Sequence, residues 1–352
     1  MQPSQSDPET SLRIAAEIHK HVRRDLRAQR VVRAGAKLTD IAEFIEKSTR
    51  RYASELIEKT PILTTINGGI GFPVGLSVNS CAAHYHPHSS DCTVLSSSDI
   101  VKIDFGTEIN GWIIDSAFTQ YGFGDAAHMV APARTDEYDN LTACMRDATD
   151  TGIKNIGVDT TILEWSQSVE EVFRSYDGVC PITNLGGHNI LHEIIHGDNF
   201  LPASAASVRD ANERFGPGVY AIETFGSTDA NTATNCEARE RGDSTIFRLN
   251  PGFMRYSAAQ LVSQFHSPIF KIQSVQKLFS QIKTQFKTLP FAERYLRSSD
   301  RTPLALLAKH DVLYSYPPLC VAAGATAQYE HTLLLRESGM GGPVVFSRDD
   351  DY

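Results

Sequence analysis

No apolar run in this sequence approaches the roughly 18 residues that a membrane-spanning helix needs, so no transmembrane segment is expected. An excess of basic residues is also missing. The chain carries 42 acidic against 33 basic residues, a net charge of −9, which is the wrong sign for general nucleic-acid binding. Cysteine is sparse. The six residues Cys81, Cys92, Cys144, Cys180, Cys236 and Cys320 form no C-x-x-C pair, which argues against a zinc ribbon or a thioredoxin-type motif and for a reducing compartment. The opening MQPSQSDPETS lacks the apolar core of a signal peptide. What remains is a 352-residue chain with 41% hydrophobic and 21% charged residues, ordinary for a globular protein, with the cytoplasm as the expected location.

Residues 1–9 read as a disordered tail. Leu12, Ala15, Ile18, Val22 and Leu26 then recur at helical spacing, with Thr10 or Ser11 as the expected cap. A second amphipathic helix is expected from Leu38 to Ile57. From 61 to 123 the pattern becomes strand-like, and DIVKIDFGTEINGWIIDSAFTQYGFG reads as a hairpin turning at Asn110-Gly111. Two helical blocks fill 136–176, broken at Gly157. The order there echoes the segment after Gly35, a weak repeat at an offset of 122 that hints at two related halves. Strands resume at 217–227 and 326–336. Residues 256–313 between them read mostly as helices, an insertion into a sheet domain.

The hairpin raises a chemical question. If Asn110-Gly111 forms the turn, Asp104 falls opposite Ala117, and Asp115 becomes its diagonal neighbour on the same face. Both lie among apolar residues, where paired carboxylates repel and are costly to bury unless a cation joins them. Two solvent-facing hairpin aspartates are the simpler alternative. Glu223 in VYAIETFG and Glu330 in AQYEHTLLLR repeat the pattern of an acid within a strand. Each taken singly fits an edge strand; together the four are harder to explain that way. Four carboxylates with one imidazole suit two divalent first-row metals, Mn, Fe, Co or Zn.

GIGFPVGLSVNSCAAHYHP, the hairpin KIDFGTEINGWIIDSAFT, NLGGHNILHEIIHG, VYAIETFGST and TAQYEHTLLLR resemble, in that order, the motifs of the type 2 methionine aminopeptidases. They span residues 70–336, and the opening RIAAEIHKHVRRDL and closing DDDY fit as well. The resemblance implies the α+β pita-bread fold, a pseudo-two-fold antiparallel sheet flanked by helices, as one catalytic domain over 10–352 with a type 2 helical insertion at about 250–315. It implies removal of the initiator methionine from nascent polypeptides with a small second residue. It also implies a two-ion metal centre: Asp104 on one ion, Asp115 and Glu330 bridging, His188 and Glu223 completing the other, with Glu223 also the general base. His84 and His196 carry over as substrate-contacting catalytic histidines, and Phe72, Ile195 and Tyr316 as the methionine pocket. The expected partners are nascent-chain N-termini. Neither membrane nor specific nucleic acid is expected, and the protein is expected to be a monomer.

Some features depart from the family. Its pocket histidine after IETFGS is missing, leaving Arg239 or Glu240 as candidates for that region. The long N-terminal extension of many eukaryotic members is absent, which weakens the case for a ribosome contact. Cys81 and Cys320 fall in two pocket-lining neighbourhoods, as free thiols or as a labile disulfide. His192-Glu193-Ile194-Ile195-His196 matches H-E-x-x-H, but that zinc motif needs a helix, and the space before Gly197 allows little more than two turns. The extended form would place glycine and histidine where Asn199 and Pro202 stand. His188 is therefore the expected ligand, and the His192-Glu193 pair reads as incidental. Two rivals stay open: an Xaa-Pro aminopeptidase or dipeptidase of the same fold, and a non-catalytic pita-bread binding protein.

Overall fold

The computed structural model describes residues 7–59, 67–123, 135–228, 236–263 and 267–351. Helix α1 (Pro8–Ala28) begins at Asp7, whose carboxylate accepts the Thr10 N–H at 3.2 Å, with Pro8 pre-set for the first turn. The cap is thus Asp7, not Thr10 or Ser11. Asp7–Glu9 leave the expected tail for the cap and helix, and residues 1–6 of that tail lie outside the described residues. Leu12, Ala15, Ile18, Val22 and Leu26 form the buried stripe, each large aliphatic side chain contributing about 1.5–3 kcal/mol. On the same helix Arg23 is fully buried. Its Nε and Nη2 donate to the two oxygens of Asp351, tying α1 to the chain's end.

Helix α2 spans Leu38–Lys59, α3 Thr135–Asn155 and α4 Ile162–Arg174. A capping box between Thr161 and Glu164 starts α4. The residues just before α2 and α4 make matching single antiparallel bridges, Lys37 with Val94 and Thr161 with Arg214. Lys37 and Thr161 stand 124 residues apart, two more than the offset of the sequence repeat, so the repeat points to two similar helix entries but misaligns them by two residues.

The first half holds β1 (Gly68–Val78), β2 (Cys81–Ala83), β3 (Ile100–Ile109) and β4 (Trp112–Tyr121). Strands β1, β3 and β4 form one antiparallel sheet, and β3 and β4 are the expected hairpin, with Ile109 opposite Trp112. Asn110 and Gly111 both take positive φ (52° and 81°), as a two-residue type I′ turn requires. The second half holds β5 (Cys180–Pro181), β6 (Gly186–Ile190), β7 (Phe200–Pro202), β8 (Gly218–Ser227) and β9 (Arg239–Glu240). The insertion follows with β10 (Ile246–Leu249), α5 (Ala258–Ser263), α6 (Gln273–Gln285), β11 (Phe291–Ala292), α7 (Arg301–Lys309) and β12 (Leu313–Tyr316). The chain closes with β13 (Leu319–Cys320), β14 (Thr326–Leu335) and β15 (Val344–Val345). Strands β15, β14, β8, β6 and β7 lie side by side in the second antiparallel sheet.

The insertion is more than helical. Strands β11, β10 and β12 form a small antiparallel sheet beside α5–α7, and the two share a separate core that includes Phe247, Phe270, Phe279 and Leu313. Strands this short escape notice in a sequence dominated by helical spacing.

The two main sheets meet along β4 and β14, and side-chain hydroxyls join them. Asp115 N–H donates to Thr332 Oγ1 (2.7 Å), and Thr332 donates back to the Asp115 carbonyl (2.5 Å). Ser116 Oγ donates to the Glu330 carbonyl and Thr119 Oγ1 to that of Gln328, each at 2.8 Å. All three hydroxyl residues are buried. This seam brings the acids of one half against those of the other.

Candidate active site

The hairpin register sets Asp104 opposite Ala117 and Asp115 opposite Gly106, so the two aspartates are diagonal neighbours on one face. Across the seam, Glu330 on β14 pairs directly with Glu223 on β8. His188 on β6 pairs with Ala221, two residues from Glu223 and on the same face. All five side chains line one cavity of about 640 Å³. His188 Nε2 lies 3.4 Å from Asp115 Oδ2 and 3.7 Å from Glu223 Oε1. Asp115, His188 and Glu330 each offer a ligand atom within 4.8 Å of the others.

Asp115, Glu223 and Glu330 are buried and Asp104 is half-buried at the cavity, so none is an ordinary solvent-facing hairpin acid. Burial, with Asp115 as the next cause, pushes Asp104, Glu223 and Glu330 well above the ordinary carboxylate range. Asp104 Oδ1 and both oxygens of Glu330 have no hydrogen-bond partner among the described residues. Buried oxygens left unpaired in a mutually repelling cluster are what a divalent cation would satisfy, so the donor set fits a metal centre.

The histidines flank this cluster. The His196 ring stands edge-on to His188 at 4.4 Å, and its Nδ1 lies 3.4 Å from Tyr316 Oη. His84 meets Tyr316 edge-on at 5.5 Å. Its backbone takes φ 67°, uncommon for a residue other than glycine, and its Nδ1 has no partner among the described residues. Burial lowers His84 to about 4 and holds His196 well below the usual histidine range, so both are neutral near pH 7.

Phe72, Ile195 and Tyr316 all line the cavity. Phe72 sits where the β1–β3 register shifts, and its ring fills the space above Gly106, where a Cβ would come within 2.2 Å of it. Tyr316 pairs with Ile246 at the base of the insertion, so the insertion's own sheet positions one pocket wall.

Several expectations change. Arg239 and Glu240 lie on exposed β9, paired with β13, and it is Glu237 that lines the cavity. The residues of H-E-x-x-H form no helix. His188 lies on β6, and Glu193 turns the chain at φ 60°. Nor are His192 and Glu193 incidental. His192 Nε2 contacts the Asn110 carbonyl, and Glu193 N–H donates to the Gly111 carbonyl, both at 2.8 Å, while Lys287 of the insertion pairs with the Glu193 carboxylate. They clamp the hairpin turn to the insertion. Cys81 and Cys320 pair across β2 and β13, both as free thiols. Hydrogen bonding from Cys81, then Arg241 and Lys102, lowers Cys320 to about 7.

Residues 10–229 match the model of metallopeptidase family M24. The chain belongs to this family. Within it, the chain is 37% identical to methionine aminopeptidase 2-2 of Aspergillus niger, over 97% of this chain and 73% of that one. It is also 37% identical to methionine aminopeptidase 2 of Puccinia graminis f. sp. tritici, over 99% and 71%. These relatives place it with the type 2 methionine aminopeptidases. Among solved structures, a thermophilic Arx1 superposes with a TM-score of 0.76 at 16% identity, covering 99% of this chain and 92% of that chain. A methionine aminopeptidase from Thermotoga maritima gives 0.57 at 16% identity, covering 99% of both. Likenesses at this identity establish the shared M24 fold alone.

Proposed function

We propose that the protein is a metalloaminopeptidase that removes the N-terminal methionine from nascent polypeptides with a small second residue. The observation that carries this reading is the cluster of Asp104, Asp115, His188, Glu223 and Glu330 in one cavity, beside a wall of Phe72, Ile195 and Tyr316. Four carboxylates and one imidazole would hold two divalent ions of Mn, Fe, Co or Zn, whose charges balance the four acids. When bound, such ions supply Lewis acidity to the scissile carbonyl and hydroxide at neutral pH.

The chain's own groups have separate tasks. Glu223, which faces the cavity beside His188 and is ionised once cations are bound, accepts a proton and returns it to the departing amine. Neutral His84 and His196 stand beside Tyr316 as hydrogen-bond donors for the developing oxyanion. Phe72, Ile195 and Tyr316 give the thioether side chain an apolar and aromatic enclosure. No described helix is long and apolar enough to cross a membrane. We place the enzyme in the cytoplasm, as a monomer acting on emerging N-termini.

The experiment is hydrolysis of Met-Ala-Ser by metal-free protein reloaded with Mn²⁺ or Co²⁺. Release of methionine, with no cleavage of Xaa-Pro peptides, is expected. Cleavage of the Xaa-Pro peptides would favour the dipeptidase reading. No hydrolysis and no bound ion would favour a non-catalytic protein.

A further inference from the structure

Gln328 is a buried polar residue inside the carboxylate cluster that neither the motifs nor the proposed chemistry assigns. It lies two residues before Glu330 on β14, so its side chain shares Glu330's face. It pairs with Phe225, another cavity-lining residue, and is 1% exposed. Its backbone is pinned to β4: its N–H donates to Thr119 Oγ1 at 2.9 Å, and Thr119 donates back to its carbonyl at 2.8 Å. From this fixed base the carboxamide Nε2 reaches Glu223 Oε2 at 3.1 Å and Asp104 Oδ2 at 3.4 Å. Those two carboxylates come from different sheets, β8 and β3.

We infer that Gln328 is a positioning residue that fixes the separation of the Asp104 and Glu223 carboxylates, and with it the pairing of the two cations; this rests on the two-ion reading above. A carboxamide NH₂ has two N–H donors, so one group serves both acids. It is neutral, so the four negative charges that two divalent ions balance are preserved. A lysine or arginine at this position would cancel part of that charge and compete with the ions. The opposite amide orientation would turn its oxygen on two carboxylates. Its Oε1 has no partner among the described residues, and an unpaired buried acceptor costs stability. A buried residue that leaves its own oxygen unpaired yet reaches two of the carboxylates serves the site, as outer partners of metal ligands commonly do.

The test compares wild type with Gln328→Met, an apolar side chain of similar length, and Gln328→Asn, which is too short to reach both carboxylates. Metal-free proteins are titrated with Mn²⁺ by calorimetry. The spin-coupled Mn²⁺ pair is followed by electron paramagnetic resonance, and folding by thermal melting without metal. Wild type should bind two coupled ions. Gln328→Met should melt no lower than wild type, whereas Gln328→Asn leaves a cavity and melts lower; both should bind the second ion about 10–100-fold more weakly and lose the coupled signal. A wild type with no coupled pair overturns the two-ion reading and this inference with it. A coupled pair in wild type, with unchanged affinity and coupling in a folded variant, overturns the inference alone. Melting and affinity that fall together in both variants assign Gln328 to the core and also overturn it.

Discussion

At the scale of single residues, the site sets stability against function. Asp104, Glu223 and Glu330 are held in a cluster that pushes each carboxyl up, so the metal-free fold has to keep acids protonated that the unfolded chain ionises. Asp104→Asn or Glu330→Gln removes one of those acids and with it the cost of holding its proton. Either variant should raise the melting temperature of the metal-free protein near pH 8 and abolish methionine release. Calorimetry and a Met-Ala-Ser assay on the same preparation check both halves, and a variant with wild-type turnover would sink the ligand assignment. Gly106 acts through space rather than charge. A Cβ there would fall within 2.2 Å of the Phe72 ring. Gly106→Ala should force that ring to move, costing about 1–3 kcal/mol of stability and raising KM for methionyl peptides. An unchanged KM would remove Phe72 from the substrate pocket.

At the scale of elements, the seam between β4 and β14 brings together acids that no single sheet could. Thr332 both donates to and accepts from the Asp115 backbone. Thr332→Val keeps the shape and leaves that buried N–H without its partner, which should cost about 1–3 kcal/mol in denaturant unfolding. A loss below about 0.5 kcal/mol would mean the seam is held by packing alone. This level also shows what the sequence revealed. The hairpin and its diagonal aspartates were legible because Asn110-Gly111 fixes the register, and a register of period two fixes every face. The repeat after Gly35 and Gly157 was legible only as a second entry into a helix, because the two glycines stand three and five residues before their helices and so misalign the halves. The seam was not, because Ser116, Thr119 and Thr332 look like ordinary strand residues until two distant strands meet. Gln328 had one readable signal, its place two residues before Glu330. The role of His192 and Glu193 was hidden because their partners, the turn and Lys287, lie about 80 to 95 residues away in sequence.

At the scale of the whole molecule, pH and metal act on the same charges with opposite sign. Burial keeps the carboxyls of Asp104, Glu223 and Glu330 protonated in the metal-free fold at pH values where the unfolded chain has released those protons. The unfolded state then binds fewer protons, so metal-free stability falls as pH rises above the ordinary carboxylate range. Five histidines, His19, His84, His86, His196 and His331, act the other way. Burial lowers each of them, so the unfolded chain takes up protons below about 6.5 before the fold does, and stability is lost as pH falls through that range. Where both act, five histidines outweigh three acids, so the metal-free protein should be most stable near the upper end of the overlap, at about pH 6.5. Cations bind only the ionised acids, so binding removes the alkaline penalty and releases protons. The stability gained from a fixed excess of Mn²⁺ should accordingly be larger near pH 8 than near pH 5.5, approaching about 2.7 kcal/mol for one ion where free metal is 100 times its dissociation constant. Thermal melts with and without Mn²⁺ across that interval measure the gain directly. A gain that stayed flat with pH would show that the acids are already ionised in the metal-free fold, and that the cluster is not the charge trap its burial implies.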